Sequence, residues 1–220
     1  KSAGSIDIDM MGNVVFAPGT SSVYADKNFK VKGINFTNST SISVNGSVDI
    51  NVSDDLLNNN DGSLISNNGF KLVSGGRITN SGVISGDSVD ITGASLDNNA
   101  NAEITGGSSS SKVNITGAIN NSGRISGASD LGVTASAITN TDELSEISSG
   151  GNLTVDTGIL QNNKGLLFSA ADMSITAKTL NNIRGTLYSM GNMVLKGKAA
   201  TGNSIYNYSG YIETEGSLAV

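Results

Sequence analysis

An asparagine two residues after a leucine or isoleucine recurs along most of this chain, and no other feature restricts its fold so strongly. The (Leu/Ile)-x-Asn unit places its amide at Asn58, Asn80, Asn98, Asn121, Asn140, Asn162, Asn182 and Asn207. The step varies from 18 residues, between Asn80 and Asn98, to 25, between Asn182 and Asn207. Self-similarity at this period, too ragged for tandem duplication, is the mark of a solenoid whose loops vary in length while its coils do not.

A second register runs with the first. Gly62, Gly82, Gly123, Gly165, Gly185 and Gly210 are each followed two positions on by a residue of buried type: Leu64, Ile84, Ile125, Leu167, Leu187 and Ile212. The next strand then carries apolar pairs at period two, the pattern of a strand buried on one face. These are Phe70/Leu72, Val89/Ile91, Val113/Ile115, Leu131/Val133, Leu153/Val155, Met173/Ile175, Met193/Leu195 and Leu218/Val220. The stretch 179–197, TLNNIRGTLYSMGNMVLKG, holds the whole unit. Two short strands joined by Gly/Asn turns cannot bury their apolar faces alone, so copies must stack.

The expected architecture is therefore all-β: a parallel β-helix with coils of about 18–25 residues. Each coil adds about 4.8 Å, and some ten coils make a rod on the order of 50 Å long. The repeated asparagines are expected to stack as an internal ladder, each amide bonded to the coils above and below. Residues 56–220 follow this pattern. Residues 1–55 alternate in β fashion, at Ile6/Ile8, Val14/Phe16, Val31/Ile34/Phe36, Ile42/Val44 and Val48/Ile50/Val52, but show no asparagine register. They read as irregular coils of the same helix or as the edge of a neighbouring module.

Composition narrows the function. With 28 Gly, one Pro, 37% apolar and 5% aromatic residues, the chain is too lean for a round core and sufficient for a thin stacked one. It has no Cys and no His, which removes disulfides, thiolate sites and the commonest general base. A net charge of −6 with scattered basic residues argues against nucleic acid as a partner. No window is long and apolar enough to cross a bilayer as a helix. The chain opens KSAGSIDID, without an apolar leader core, and ends in mid-pattern, so we read it as a piece of a longer protein.

The units LQNNKGLLFSAADMSITA, LNNIRGTLYSMGNMVLKG and ITNSGVISGDSVDITG resemble the haemagglutinin repeats of two-partner-secreted exoproteins. That family includes filamentous haemagglutinin and the contact-dependent growth inhibition effectors. The pattern covers 56–220 well and 1–55 poorly. The resemblance implies a right-handed parallel β-helix on a Gram-negative cell surface, exported through an outer-membrane transporter. It also implies a function in adhesion, or in carrying a C-terminal toxin to a receptor, protein or glycan, on a target cell.

On this basis we expect a non-catalytic stalk or adhesin segment of a secreted surface exoprotein, presenting a binding tip or toxin. The first alternative is the receptor-binding module of a growth inhibition effector, and the second a polysaccharide-acting β-helix enzyme. For the enzyme, the outward column of the second strand reads Lys71, Asp90, Asn114, Gly132, Thr154, Ser174, Val194 and Ala219, with Lys71 and Asp90 well separated. That column offers no acid/base pair, and we name no catalytic residue, metal ligand or cofactor. Asp142, Glu143 and Glu146 lack calcium-repeat spacing and read as a solvated loop. Lys27, Lys30 and Lys32 read as an exposed strand face. The candidate binding residues are Leu166, Phe168, Tyr188, Tyr206, Tyr208 and Tyr211, an outward aromatic concentration on the last coils.

Overall fold

The computed structural model describes residues 2–19 and 22–220. Every regular element in it is a strand, and every strand-to-strand pairing is parallel. The chain winds as a β-solenoid of about 10 turns, with about 20 residues in each. Three faces run the length of the rod, and one coil crosses each face once.

The first face carries the paired apolar residues. Phe29/Val31, Val48/Ile50, Phe70/Leu72, Leu131/Val133, Leu153/Val155, Met173/Ile175 and Met193/Leu195 all point inward and are buried. The second face contributes Phe36, Leu56, Ile78, Leu96, Ile119, Ile138, Leu160 and Leu180, each followed two residues on by a ladder asparagine. The third face is a separate ten-stranded sheet, whose inward row includes Ile42, Leu64, Ile84, Ile104, Ile125, Ile147, Leu167 and Leu187. Faces one and two merge where Leu131–Thr141, Leu153–Asn163 and Met173–Ile183 run unbroken round the corner between them.

The asparagines form one continuous chain of side-chain hydrogen bonds through the interior. Asn58 Nδ2 donates to Asn80 Oδ1 at 2.8 Å, and the relay continues through Asn98, Asn121, Asn140, Asn162, Asn182 and Asn207 at 2.7–2.9 Å. Each interior amide also donates to a backbone carbonyl, either of its own turn, as Asn162 does to Gly165 O at 2.9 Å, or of the next coil, as Asn140 does to Leu166 O at 3.2 Å. Polar groups at the core boundary are thereby satisfied without water.

The glycine register packs against this ladder. A Cβ on Gly165 would lie 2.3 Å from Asn140 Nδ2, and one on Gly185 would lie 2.4 Å from Asn162 Nδ2. In two coils Ala102 and Ser145, both buried, occupy the turn just before the strand instead. The glycine spacing therefore passes over Ile104 and Ile147, which complete the third face.

The structure alters four sequence expectations. The asparagine register is not missing before residue 55: Asn38 is fully buried and donates to Asn58 Oδ1 at 2.9 Å. It escaped the motif because Phe36 stands where later coils have Leu or Ile. The strands Ile6–Asp9, Phe29–Gly33 and Val48–Val52 stack in register on the coils that follow them, and Phe16 packs its ring on Phe29 and Phe36 at 6.0 and 5.9 Å.

Second, Asn114 does not follow Asp90 in the outward column; Lys112 does, and Val113 stacks between Ile91 and Val133. Ser111 takes the inward position of Val89, with Ser111 Oγ accepting from Val89 N at 3.0 Å, in space that Gly106 leaves open. Third, Lys71 and Asp90 are not apart but are direct partners on adjacent coils. Fourth, Leu218 and Val220 are exposed, unlike the pairs before them, and of the two only Leu218 pairs, with Met193.

Candidate contact surface

Register turns the outward residues of successive coils into columns about 4.8 Å apart. On the first face one column reads Asp7, Lys30, Asp49, Lys71, Asp90, Lys112. Signs alternate at each of the six positions. Opposite charges placed across neighbouring strands stabilise, and like charges repel, so this order favours the observed register over a slipped one. The lysines expected on an exposed strand face divide accordingly: Lys30 lies between two aspartates, and Lys32 lies 3.8 Å from Asp9. Lys71 and Asp90, the pair considered for polysaccharide chemistry, are members of this column.

The acidic run is dispersed by the corner it turns. Glu143 pairs with Lys164 at 3.6 Å, whereas Glu146 has entered the third face and faces Arg124 at 3.7 Å. Among the described residues no three acidic, histidine or cysteine side chains are grouped closely enough to hold a metal ion.

The six aromatic and apolar candidates fall on two faces. Leu166, Thr186 and Tyr211 form one outward column of the third face, and Phe168, Tyr188 and Glu213 form the next. Phe168 and Tyr188 stack with ring centroids 5.8 Å apart and planes 26° apart, and both are half-buried. Tyr188 donates its hydroxyl to Glu215 Oε1 at 2.5 Å. That hydrogen bond, then desolvation and the charges of Glu215 and Glu213, raise the Tyr188 hydroxyl above its ordinary range. Tyr211 stands 68% exposed beside them.

Tyr206 and Tyr208 lie across the corner on the second face, paired with Asn181 and Ile183. Their rings are parallel within 2° at 6.3 Å, and both are about half exposed, at 53% and 54%. Ser209, in the left-handed region at φ 52°, makes the turn that separates them from Tyr211.

A feature that spacing alone did not single out is an external ladder at the corner between faces three and one. Asn152 N donates to Asp130 Oδ1 at 2.8 Å, Asp172 N to Asn152 Oδ1 at 3.2 Å, Asn192 N to Asp172 Oδ1 at 2.7 Å and Ser217 N to Asn192 Oδ1 at 3.0 Å. Charged and neutral members alternate, so no two carboxylates are neighbours. Its sequence signal is an Asp or Asn immediately before the first apolar residue of the face-one strand.

The haemagglutinin repeat profile matches residues 19–82, 43–112, 108–156 and 148–219, overlapping stretches that span most of the solenoid. This chain belongs to the haemagglutinin repeat family. No curated protein and no solved structure matches it. The haemagglutinin repeat match begins at residue 19, and the strands Phe29–Gly33 and Phe36–Asn38, which precede the regular pattern, stack on the same rod. The family, of the filamentous haemagglutinin type, is typically secreted or displayed at the cell surface and is generally not enzymatic. Among the described residues no helix is long and apolar enough to cross a membrane.

Proposed function

We propose that this haemagglutinin repeat chain is a stalk or adhesin segment of a large surface exoprotein, exported by an outer-membrane transporter. It holds a binding tip or toxin away from the producing cell and touches its target through the third face of its last coils. The observation that carries this reading is the unbroken asparagine ladder from Asn38 to Asn207. A rod needs every coil tied to the next, and this chain supplies that with the polar side chains inside and the loops outside. The exposed aromatic residues near its C-terminal end supply the contact surface.

A second reading, the receptor-binding module of a growth inhibition effector, draws on the same aromatic residues and differs in its target, a neighbouring bacterium rather than a host cell. Saturation binding of the labelled chain to Gram-negative cells and to epithelial cells distinguishes the two. The stalk-adhesin reading expects saturable binding to epithelial cells, lost when Phe168, Tyr188 and Tyr211 are replaced by Ser in a folded variant. Saturation on bacteria alone supports the effector reading. Binding to neither leaves the contact surface without a function and overturns that part of the proposal.

A further inference from the structure

The outward column that contains Phe168 changes character abruptly. It reads Thr105, Ser126, Ser148, then Phe168 and Tyr188 in register on successive coils. Tyr188 covers one face of the Phe168 ring. On the other side the column falls to small hydroxyl residues, so the second face of the ring looks along the rod over Ser148 and Ser126. Phe168 thus forms the end wall of an open groove floored by Thr105, Ser126 and Ser148.

Two further observations mark this groove as built for a ligand. Ser126 is 5% exposed, and its Oγ, turned away from solvent, has no hydrogen-bond partner, so it gains one only by turning outward into the groove. A buried hydroxyl without a partner is uncommon and destabilising in itself. Along one side of the groove, Glu103, Arg124 and Glu146 follow one another in register, which places a guanidinium between two carboxylates at the rim. A single bare aromatic face, a floor of hydroxyls and a rim of planar charged groups suit a ring with apolar C–H faces and hydroxyls around its edge. An apolar peptide anchor would call instead for an apolar floor.

We propose that this groove binds one sugar ring of a glycan chain, stacked on the free face of Phe168, with its hydroxyls directed to Ser148, the Arg124–Glu146 pair and, once its side chain turns outward, Ser126. The proposal rests on the reading of the third face as a contact surface and names the chemistry of what it contacts.

The test is saturation-transfer NMR and calorimetry on the purified chain, with maltotetraose, chitotetraose and lacto-N-tetraose as probes. At least one is expected to show saturated ring protons. Its affinity is expected to drop about tenfold in Phe168→Leu, which keeps an apolar side chain but removes the aromatic face. Ser148→Phe, which fills the groove, is expected to abolish binding, and Tyr206→Ser with Tyr208→Ser on the other face to leave it unchanged. Circular dichroism melts establish that each variant is folded.

No saturation with any of the three, or binding that survives both Phe168→Leu and Ser148→Phe, overturns the proposal. So does binding of a proline- and tryptophan-containing peptide, in place of sugar, that is lost in Phe168→Leu. Cell binding that depends on Phe168, Tyr188 and Tyr211 without any sugar binding refutes the glycan assignment and keeps the contact surface. Sugar binding without cell binding does the reverse.

Discussion

Replacing Asn162 by Leu removes one rung from the middle of the internal ladder, and the consequence can be worked from its bonds. Asn162 Oδ1 accepts from Asn140 Nδ2 at 2.8 Å, and Asn162 Nδ2 donates to Asn182 Oδ1 at 2.8 Å. The leucine leaves a donor below and an acceptor above, both in fully buried residues with no water to replace the partner. Two such orphaned groups cost about 2–6 kcal/mol together. Burying the leucine side chain returns about 1.5–3 kcal/mol. The net loss is on the order of 1–3 kcal/mol, concentrated in the coils that contain Asn140, Asn162 and Asn182.

Asn207 provides the control, because it accepts from Asn182 and donates to Gly210 O at the exposed end of the ladder. Asn207→Leu takes one acceptor from Asn182 Nδ2, which keeps its bonds to Gly185 O at 3.1 Å and Tyr211 O at 3.0 Å, and it strands no buried acceptor, so that variant should cost less than about 1 kcal/mol. A solenoid's stability is summed over neighbouring coils, so the readout is local: hydrogen exchange of backbone amides, coil by coil. Equal opening free energies in the two variants would refute the argument that burial of the ladder gives it its strength.

Three further outcomes follow from the geometry. Lys71→Glu places three acidic groups in line with Asp49 and Asp90, and is expected to destabilise by about 1–2 kcal/mol at low salt, less at high salt; a melting temperature independent of salt would remove the charge column as a register device. Gly185→Ala forces a Cβ to within 2.4 Å of Asn162 Nδ2 and 2.5 Å of Asn162 O, at an expected cost above about 2 kcal/mol. Gly132→Ala, whose Cβ would meet nothing nearer than 4.0 Å, is expected to stabilise by about 0.4–1 kcal/mol in the same denaturation assay.

Asp87 clamps the loop that follows Gly106, accepting from Ser108 Oγ at 2.6 Å, Ser109 Oγ at 2.6 Å and Ser108 N at 3.0 Å. The Ser108 hydroxyl first, then that of Ser109, holds the Asp87 carboxyl below its ordinary value of 3.8. A depressed carboxyl contributes stability above that value and loses it as pH falls through the folded one. The protection factors of the loop amides, taken against the intrinsic rate at each pH, should therefore fall below about pH 4. Asp87→Asn should flatten that dependence.

The outward placement of most candidate surface residues is legible in the sequence, and the face each occupies is not. Period-two alternation around Leu167, Leu187 and Ile212 places Leu166, Phe168, Tyr188 and Tyr211 on the outside of the third face, because a strand gives alternate side chains to opposite faces. The same rule puts Tyr206 and Tyr208 outside, but it says nothing about which face they leave from. Only the corner at Ser209 separates them from Tyr211. The Ser126 groove was invisible for a related reason: none of its residues is unusual alone, and it exists only because Ser148 is stacked directly before Phe168.

The coil is legible in the linear chain, with its strands, its inward residues, its asparagine ladder and its family, because each depends on residues within about twenty positions of one another. Which residues of different coils become neighbours is set by the stacking of the folded rod. Steps of 18 to 25 residues between ladder positions shift every column by an amount that depends on where each loop takes up its extra residues. Ser111 could therefore enter the core where a valine was expected, and Lys112 could follow Asp90. The alternating charges, the external Asp/Asn ladder and the wall of Phe168 all depend on coil-to-coil register, which strand pairing sets and linear spacing does not.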